Sequence, residues 1–221
     1  MRNIAIDGPA GAGKSTLAKR LAEALDCHYV DTGAIYRTIA YHFQMCGIGP
    51  RDKDNIHRFL GDATVEVRYE DGAQHMYLNG VDVTGELRTP ELSAAASAIS
   101  ANGEVRKYLL QMQRALAREY DCVMDGRDIG TVVLPRAALK LYVTAAPEVR
   151  ALRRQQELKA KGEDHPLSQI LAQIQARDKA DSERKIAPLR QADDAVLLDT
   201  TDMDADACLA AALALARERG L

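Results

Sequence analysis

A glycine-rich segment near the start of the chain, residues 7–16, has the sequence DGPAGAGKST. It matches the pattern G-x-x-x-x-G-K-[ST], with Gly8, Gly13, Lys14 and Ser15 at the fixed positions. Glycines let such a loop turn tightly and bring its N–H groups close to phosphate oxygens. The lysine reaches the β- and γ-phosphates, and the serine hydroxyl is a ligand for Mg²⁺. The segment therefore predicts a binding site for a nucleotide polyphosphate.

The residues on either side of this loop support the prediction. Residues 3–6 form a short apolar run that is typical of a buried strand. Leu17, Leu21 and Leu25 recur at helical spacing, which predicts a helix directly after the loop. The free N–H groups of that helix would point at a bound anion. The residues that we expect at the nucleotide phosphates are Gly8, Pro9, Ala10, Gly11, Ala12, Gly13, Lys14, Ser15 and Thr16.

The composition argues against several classes of protein. The 221 residues suffice for one domain with insertions, and the net charge of −3 argues against a general nucleic-acid or membrane-surface binder. The chain opens on the first strand, which leaves no room for a signal peptide, and no apolar run has transmembrane length. We therefore expect a cytoplasmic monomer with no nucleic-acid or membrane partner. The cysteines, expected to be reduced and mostly buried, are Cys27, Cys46, Cys122 and Cys208.

Apolar spacing predicts strands and helices in alternation over most of the chain. Further strands are expected at 28–31, 122–124, 139–144 and 195–199. A second helix is expected to begin at Thr32 as its N-cap. The other helices are expected at 52–62, 102–119, 147–160, 166–184 and 204–219. This alternation predicts an α/β fold with a parallel sheet flanked by helices.

One segment, residues 63–92, has a different pattern. Polar and apolar residues alternate at 64–69 and again at 74–78, as in a strand with one buried face. Asn79 and Gly80 form a strong signal for a tight hairpin turn. The segment therefore predicts a small antiparallel β insertion that is separate from the main sheet.

A second segment, residues 147–190, is locally basic, with ten Lys or Arg against seven Asp or Glu. Two basic helices joined by a polar connection at 161–166, with Gly162 as a hinge, fit a lid that closes over phosphates. A solvated helix surface with i,i+4 ion pairs is the alternative. We thus expect one domain, residues 1–221, made of a core (1–62 and 93–221), the β insertion (63–92) and a helical lid (about 150–165).

Arginines at the ends of several elements indicate a second anion site. Phosphoryl transfer needs positive charge on both donor and acceptor, and the planar fork of arginine binds two phosphate oxygens at once. Arg177, Asp181 and Arg184 are spaced to share one helix face, which an internal ion-pair ladder would also explain. The other arginines of this set are Arg37, Arg106, Arg127 and Arg153.

Three stretches resemble the bacterial cytidylate kinase family: IDGPAGAGKS at 6–15, DTGAIYR at 31–37 and DGRDIGTVV at 125–133. Residues 177–189 are similar to the closing segment of that family, and the resemblance runs nearly from end to end. It implies a P-loop kinase fold that carries an extended insertion for the nucleoside monophosphate. It also implies transfer of the γ-phosphoryl group of ATP to CMP or dCMP, with Mg²⁺.

The resemblance also implies roles for individual residues. The residues expected to hold the acceptor phosphate are Thr32, Arg37 and Arg127. Those expected to read the cytosine are Ser97, Arg106 and Asp128. Those expected at the ribose are Arg177 and Asp181. The expected catalytic residues are Lys14, Arg127, Arg153, which would close on the ATP side, and Arg184, which would bridge the phosphates. Ser15 is the expected metal ligand, with Asp31 or Asp125 as its acidic partner.

Other functions remain open at this point. An adenylate, thymidylate or shikimate kinase would use the same loop. A nucleotide-dependent switch could use the β insertion as a partner surface, but it has no use for arginines at a second anion site. The chain has no N-K-x-D stretch for guanine recognition, which disfavours a GTPase.

Overall fold

The computed structural model of the protein describes residues 1–50, 52–160 and 162–221. The strands are β1 (Asn3–Asp7), β2 (His28–Asp31), β3 (Val65–Glu70), β4 (Ala73–Leu78), β5 (Val81–Asp82), β6 (Cys122–Gly126), β7 (Leu139–Thr144) and β8 (Val196–Asp199). The helices are α1 (Lys14–Ala24), α2 (Thr32–Met45), α3 (Lys53–Leu60), α4 (Pro90–Ile99), α5 (Gly103–Glu119), α6 (Pro147–Ala160), α7 (Leu167–Glu183) and α8 (Ala205–Glu218). A 3₁₀ turn lies at Thr84–Leu87 and a π-helical turn at Ile129–Val133.

The main sheet is parallel, with strand order β2-β6-β1-β7-β8, as the alternation of strands and helices predicts. In its register Asp7 lies opposite Gly126, and Asp31 lies opposite Asp125. Parallel strands end at the same edge of a sheet, and ligands of such folds bind at that edge. The aspartates at the ends of β1, β2 and β6 therefore lie near the glycine-rich loop that follows β1.

The predicted antiparallel sheet is also present, with strand order β3-β4-β5. Asn79 and Gly80 have φ angles of +50° and +81°, as a tight hairpin turn requires. The apolar face of the sheet has no core of its own. Val65, Met76 and Leu78 are buried in the cluster that also contains residues of β2, α2 and β6.

Two further apolar clusters complete the fold. Helices α1 and α8 pack on the main sheet through a cluster that includes Leu21, Leu141 and Ala212. Helices α6 and α7, which we call the helical hairpin, have a small cluster of their own. Its buried members are Ala151, Leu158, Ile170 and Ile174.

The predicted strands and helices are present, with ends that differ by a residue or two, but three details differ. Thr32 is not the N-cap of α2. The side chain of Asp31 caps the helix by accepting a hydrogen bond from Ala34 N, and Thr32 is the first helical residue. Helix α7 ends at Glu183, so Arg184 follows the helix instead of lying on its face.

Helix α4 is the third difference, because the sequence analysis does not predict it. Its start carries ordinary helix signals: Thr89 is the N-cap and accepts a hydrogen bond from Leu92 N, and Pro90 occupies the first helical position. Its residues from 93 to 98 are only serine and alanine, so the apolar period is weak.

Of the four cysteines, Cys122 and Cys208 are buried, Cys27 is half-buried and Cys46 is exposed, so the expected burial holds for two of them.

Within the described ranges no helix has the length and apolar character needed to cross a bilayer. The described residues also contain no group of three or more His, Cys, Asp or Glu that could hold a metal ion.

Candidate active site

The glycine-rich loop, residues 8–16, connects the central strand β1 to helix α1. Gly8 has a φ of +150°, and a Cβ at this position would lie 1.9 Å from the backbone oxygen of Val143 on β7. Gly13 has a φ of +82° at the N-cap of α1, a backbone conformation that residues other than glycine rarely adopt. Gly8 is therefore required for packing against the neighbouring strand, in addition to any close approach of phosphate.

The loop buries its lysine and exposes residues around the helix start. Lys14 Nζ donates a hydrogen bond to Pro9 O at 2.6 Å. Burial lowers the pKa of Lys14 well below its usual value, and the positive charge of Arg127 lowers it further. A buried cation beside a second cation is stabilised by a bound anion, as a phosphate site requires. The exposed loop residues are Gly11, Gly13, Ser15 and Thr16, and the buried ones besides Lys14 are Gly8, Pro9, Ala10 and Ala12.

Ser15 is linked to an acidic side chain on the neighbouring strand. Ser15 Oγ donates to Asp125 Oδ2 at 2.8 Å, and Tyr29 Oη donates to Asp125 Oδ1 at 3.0 Å. Burial and then the charge of Asp31 raise the pKa of Asp125 to about 6. Of the two acidic partners that the sequence suggests for Ser15, the structure brings Asp125 into contact with it.

Asp7 joins the base of the loop to the segment after β6. Its two carboxylate oxygens accept hydrogen bonds from Ile129 N and Gly130 N, each at 2.7 Å. Burial raises the pKa of Asp7 to about 6, against the opposing effect of these two hydrogen bonds. Because Arg127 and Asp128 precede these amides directly, Asp7 fixes the turn that carries two of the predicted site residues.

The residues predicted for the acceptor phosphate lie at the end of β2 and the start of α2. Asp31 Oδ2 accepts a hydrogen bond from Arg37 Nη2 at 2.9 Å, while its Oδ1 accepts one from Ala34 N at 2.8 Å. Arg37 Nε is buried and has no hydrogen-bond partner among the described residues. Thr32 is buried, and its hydroxyl donates to Asp125 O at 2.7 Å.

A group of arginines surrounds Asp181 near the end of α7. Arg127 Nε donates to Asp181 Oδ2 at 2.8 Å, and Arg184 Nη1 lies 3.9 Å from Asp181 Oδ1. Arg177 Nε is buried and lacks a partner in the part of the chain that the structure describes. Burial and the charge of Arg127 lower the pKa of Arg177 to about 10. Asp181 thus contacts Arg127, which directly follows β6. An ion-pair ladder within one helix does not explain this contact.

The residues predicted to read the base form a buried polar network. Arg106 pairs with Asp128 and donates to Ser100 O at 3.1 Å. Arg184 Nη2 donates to the other carboxylate oxygen of Asp128 at 3.3 Å. The Arg106 guanidinium also lies 5.8 Å from the ring centre of Tyr36, whose pKa burial raises to about 12.

Ser97 borders a cavity of about 570 Å³ between α4, the turn before α5 and the end of α7. Asp181 and Arg184 line the same cavity. Ser97 is half-buried, and its backbone oxygen accepts a hydrogen bond from Ser100 Oγ at 2.7 Å. The structure therefore brings Ser97 to the same space as two of the predicted ribose and phosphate residues.

Arg153 is the predicted site residue that the structure holds elsewhere. Its guanidinium donates to Thr200 O at 2.6 Å and to Met203 O at 3.1 Å, in the loop between β8 and α8. In this arrangement Arg153 anchors α6 to that loop. Its role on the ATP side stays a prediction.

The sequence analysis missed the contacts that join the helical hairpin to the glycine-rich loop. Arg150 is buried, and its Nη1 donates to Ala10 O at 2.9 Å and to Asp178 Oδ2 at 2.6 Å. Asp178 Oδ1 in turn accepts a hydrogen bond from Ala10 N at 3.1 Å. The one sequence signal for Asp178 is that it directly follows Arg177.

Known cytidylate kinases match nearly the whole of this chain. The profile described as cytidylate kinase matches residues 4–218. The cytidylate kinase of Caldicellulosiruptor bescii is 46% identical over 213 residues, which cover 96% of this chain and 94% of that protein. The cytidylate kinase of Syntrophotalea carbinolica is 45% identical over 216 residues, covering 98% and 92% of the two chains.

A solved structure of an uncharacterized protein from Eubacterium ventriosum is similar in fold. It superposes with a TM-score of 0.56 at 12% identity and covers 97% of each chain. The similarity to this structure concerns the fold alone. The match of the profile and the identity to relatives over nearly the whole chain show the family: this chain belongs to the cytidylate kinase family.

Proposed function

We propose that this protein transfers the γ-phosphoryl group of ATP to CMP or dCMP, giving ADP and CDP or dCDP. The observation that carries the proposal is the presence of two groups of basic side chains at one edge of the sheet. One is the loop with buried Lys14, and the other contains Arg37 and Arg177, whose buried Nε atoms lack partners among the described residues. Buried N–H groups without partners are costly, so these arginines support a bound phosphate.

The loop supplies the donor side in this proposal. Its backbone N–H groups and Lys14 bind the phosphates of ATP. Ser15 and Asp125 would hold a Mg²⁺ ion, because the ion prefers oxygen ligands and the Ser15 hydroxyl and the Asp125 carboxylate lie in contact. When bound, Mg²⁺ would neutralise negative charge on the phosphates of ATP. We favour Asp125 over Asp31 as the partner of Ser15, since Asp31 is engaged by Arg37.

The acceptor phosphate is held by Thr32, Arg37 and Arg127 in this proposal. One of its oxygens forms a bond to the γ-phosphorus as the bond to the bridging oxygen of ADP breaks. The acceptor is already an anion, so no general base is required, and positioning with charge stabilisation accounts for catalysis. Lys14 and Arg184 stabilise the charge that spreads over the transferring group.

The cytosine is read by Arg106, Asp128 and Ser97 in this proposal. A carboxylate only accepts hydrogen bonds, so Asp128 suits the N4 amino group of cytosine and repels O4 of uracil. Arginine only donates, so Arg106 suits O2 and N3 of cytosine and faces an N–H donor in uracil. The ribose lies against Arg177 and Asp181.

Residues of about 150–165, within the helical hairpin, act as a lid, and residues 63–92 act as an insertion that encloses the monophosphate. Closure excludes water, which would otherwise hydrolyse ATP. Gly162, with a φ of +83°, lies in the predicted hinge. Lys161, which belongs to the predicted connection, lies outside the described residues.

A coupled assay for ADP formation with AMP, CMP, dCMP, UMP, GMP and dTMP tests the function. The proposal predicts that kcat/KM is highest for CMP or dCMP. A higher value for AMP or dTMP would assign the chain to a different specificity, and tight ATP binding without transfer to any of the six would contradict a nucleoside monophosphate kinase.

The substitution Asp128→Asn tests the reading of the base. The amide can donate to O4 of uracil, so the preference for CMP over UMP in kcat/KM should narrow by about 1–3 kcal/mol, the cost of one mismatched buried polar group. Asp128 also anchors Arg106 and Arg184. If anchoring is its whole role, both substrates lose equally, and an unchanged CMP/UMP ratio would contradict base reading.

A further inference from the structure

A glutamine of the β insertion pairs with the backbone at the end of β2. Gln74 Oε1 accepts a hydrogen bond from Asp31 N at 2.7 Å, and Gln74 Nε2 donates to Asp31 O at 3.3 Å. Strand β2 is an edge strand of the main sheet, so its outer backbone groups are not used by a neighbouring strand. The amide of Gln74 therefore satisfies both backbone groups of Asp31 as a neighbouring strand would.

Asp31 is the residue that orients Arg37. Its carboxylate accepts hydrogen bonds from Arg37 Nη2 at 2.9 Å and from Ala34 N at 2.8 Å. The Nε atom of Arg37 is buried and without a partner among the described residues. The position of the Asp31 backbone thus sets both the start of α2 and the direction of the Arg37 guanidinium, whose Nε is left to bind an anion.

We propose that Gln74 is a positioning residue for the acceptor phosphate, which it controls through Asp31 and Arg37. The inference rests on the proposed function and deepens it, because it gives the β insertion a defined part in substrate binding. Gln74 itself does not touch the phosphate. Its removal loosens Asp31, and the Arg37 guanidinium then loses the fixed orientation in which it binds the acceptor.

A second hydrogen bond between the insertion and β2 provides a matched control. Tyr69 Oη donates to Tyr29 O at 3.2 Å, two residues before Asp31. Like Gln74, Tyr69 attaches the insertion to the outer edge of β2. Unlike Gln74, its hydrogen bond does not involve Asp31. If these residues only attach the insertion to β2, substituting either one should weaken CMP binding to a similar extent. If Gln74 positions the acceptor site, only its substitution should weaken CMP binding.

The test compares Gln74→Leu with Tyr69→Phe in steady-state kinetics and in equilibrium CMP binding. Loss of one to two hydrogen bonds that orient a binding group should raise KM and Kd for CMP about fivefold to tenfold in Gln74→Leu. Its KM for ATP should stay within about twofold of wild type. Tyr69→Phe should leave all these constants within about twofold of wild type.

A double-mutant cycle with Arg37→Ala tests the route of the effect. If Gln74 acts through Arg37, Gln74→Leu should cause no further loss of CMP affinity in the Arg37→Ala protein. Should Gln74→Leu fail to fold, Gln74→Glu replaces it in the cycle. One glutamate oxygen can still accept from Asp31 N, but the other faces Asp31 O and cannot donate to it, so a rise in the Kd for CMP is expected that is absent in the Arg37→Ala protein.

Three results would overturn the inference: equal losses for CMP and ATP, the same loss in Tyr69→Phe, or additive effects in the cycle. Failure of the wild-type protein to phosphorylate CMP would refute the proposed function instead. The two failures are distinguishable because CMP binding is measured without turnover.

Discussion

The β insertion and the helical hairpin both contact the active site, but different forces hold them in place. The insertion buries Met76 and Leu78 in the same apolar cluster as β2, α2 and β6. The hairpin has only a small apolar cluster of its own, and polar contacts attach it: Arg150 with Asp178 to the glycine-rich loop, Arg153 to the loop after β8, and Asp181 to Arg127. The β insertion is therefore part of the main apolar core, whereas the helical hairpin is attached to that core mainly by polar contacts.

This difference predicts how each side of the site behaves. A region that shares a large apolar core opens only with the whole fold, whereas one with few buried contacts opens locally at low free energy. The insertion contacts Asp31 on the acceptor side, and the hairpin contacts Ala10 in the loop for ATP. We therefore expect the part of the acceptor site formed by Asp31 and Arg37 to be preformed. The hairpin, which also carries Arg177 and Asp181, should close when nucleotides bind.

The largest expected effect is on stability. Met76→Ala removes a fully buried side chain from the shared core and should lower the free energy of unfolding by about 2–5 kcal/mol. Ile174→Ala empties part of the hairpin cluster and should lower it by less than about 1 kcal/mol, because the hairpin can open without the core. Urea unfolding of both variants measures the difference. Equal losses would mean that the hairpin belongs to the same cooperative unit.

The second largest expected effect is on kcat, and it concerns the glycine-rich loop, which belongs neither to the β insertion nor to the helical hairpin. Lys14→Met should lower kcat by about 10² or more while the fold is kept, because the lysine acts where charge develops during transfer. Lys19→Met is the control, since Lys19 is exposed on α1. Near-normal turnover in Lys14→Met would remove the loop lysine from the mechanism.

A smaller effect should distinguish the donor side from the acceptor side. Arg150→Gln removes the charged link between the hairpin and Ala10, so the KM for ATP should rise about tenfold with little change for CMP. This is the reverse of the pattern expected for Gln74→Leu. Arg154→Gln is the control, because Arg154 pairs only with Glu157 on the surface of α6 among the described residues. A rise in the KM for CMP as large as that for ATP in Arg150→Gln would contradict the assignment of the Arg150 link to the ATP side.

Most of the fold could be predicted from the sequence because its signals are local. The phosphate loop is a continuous motif between a strand and a helix, and the turn at Asn79 and Gly80 is specified by two residues. Helix α4 is missed because its small residues give a weak apolar period. The cap of α2 is displaced by one residue because Asp31 and Thr32 are both good N-cap residues, and the end of β2 decides between them.

The connections within the site could not be predicted in the same way. Asp7 bonds to Ile129 and Gly130, more than a hundred residues away, and Gln74 reaches Asp31 from a different sheet. Such pairs depend on how strands and helices are arranged in space, which a local pattern does not encode. The resemblance to a known family predicts the site residues, but it does not predict which other side chains hydrogen-bond to them and fix their positions.

Hydrogen exchange in the free protein and with CMP plus a non-hydrolysable ATP analogue tests the central claim most directly. The account predicts that peptides from α6 and α7 exchange rapidly in the free protein and become strongly protected when both nucleotides are bound. Peptides from β3 and β4 should already be protected in the free protein and change little. Equal protection of the hairpin in the two states, or new protection of the β insertion on binding, would contradict a preformed acceptor side with a closing lid.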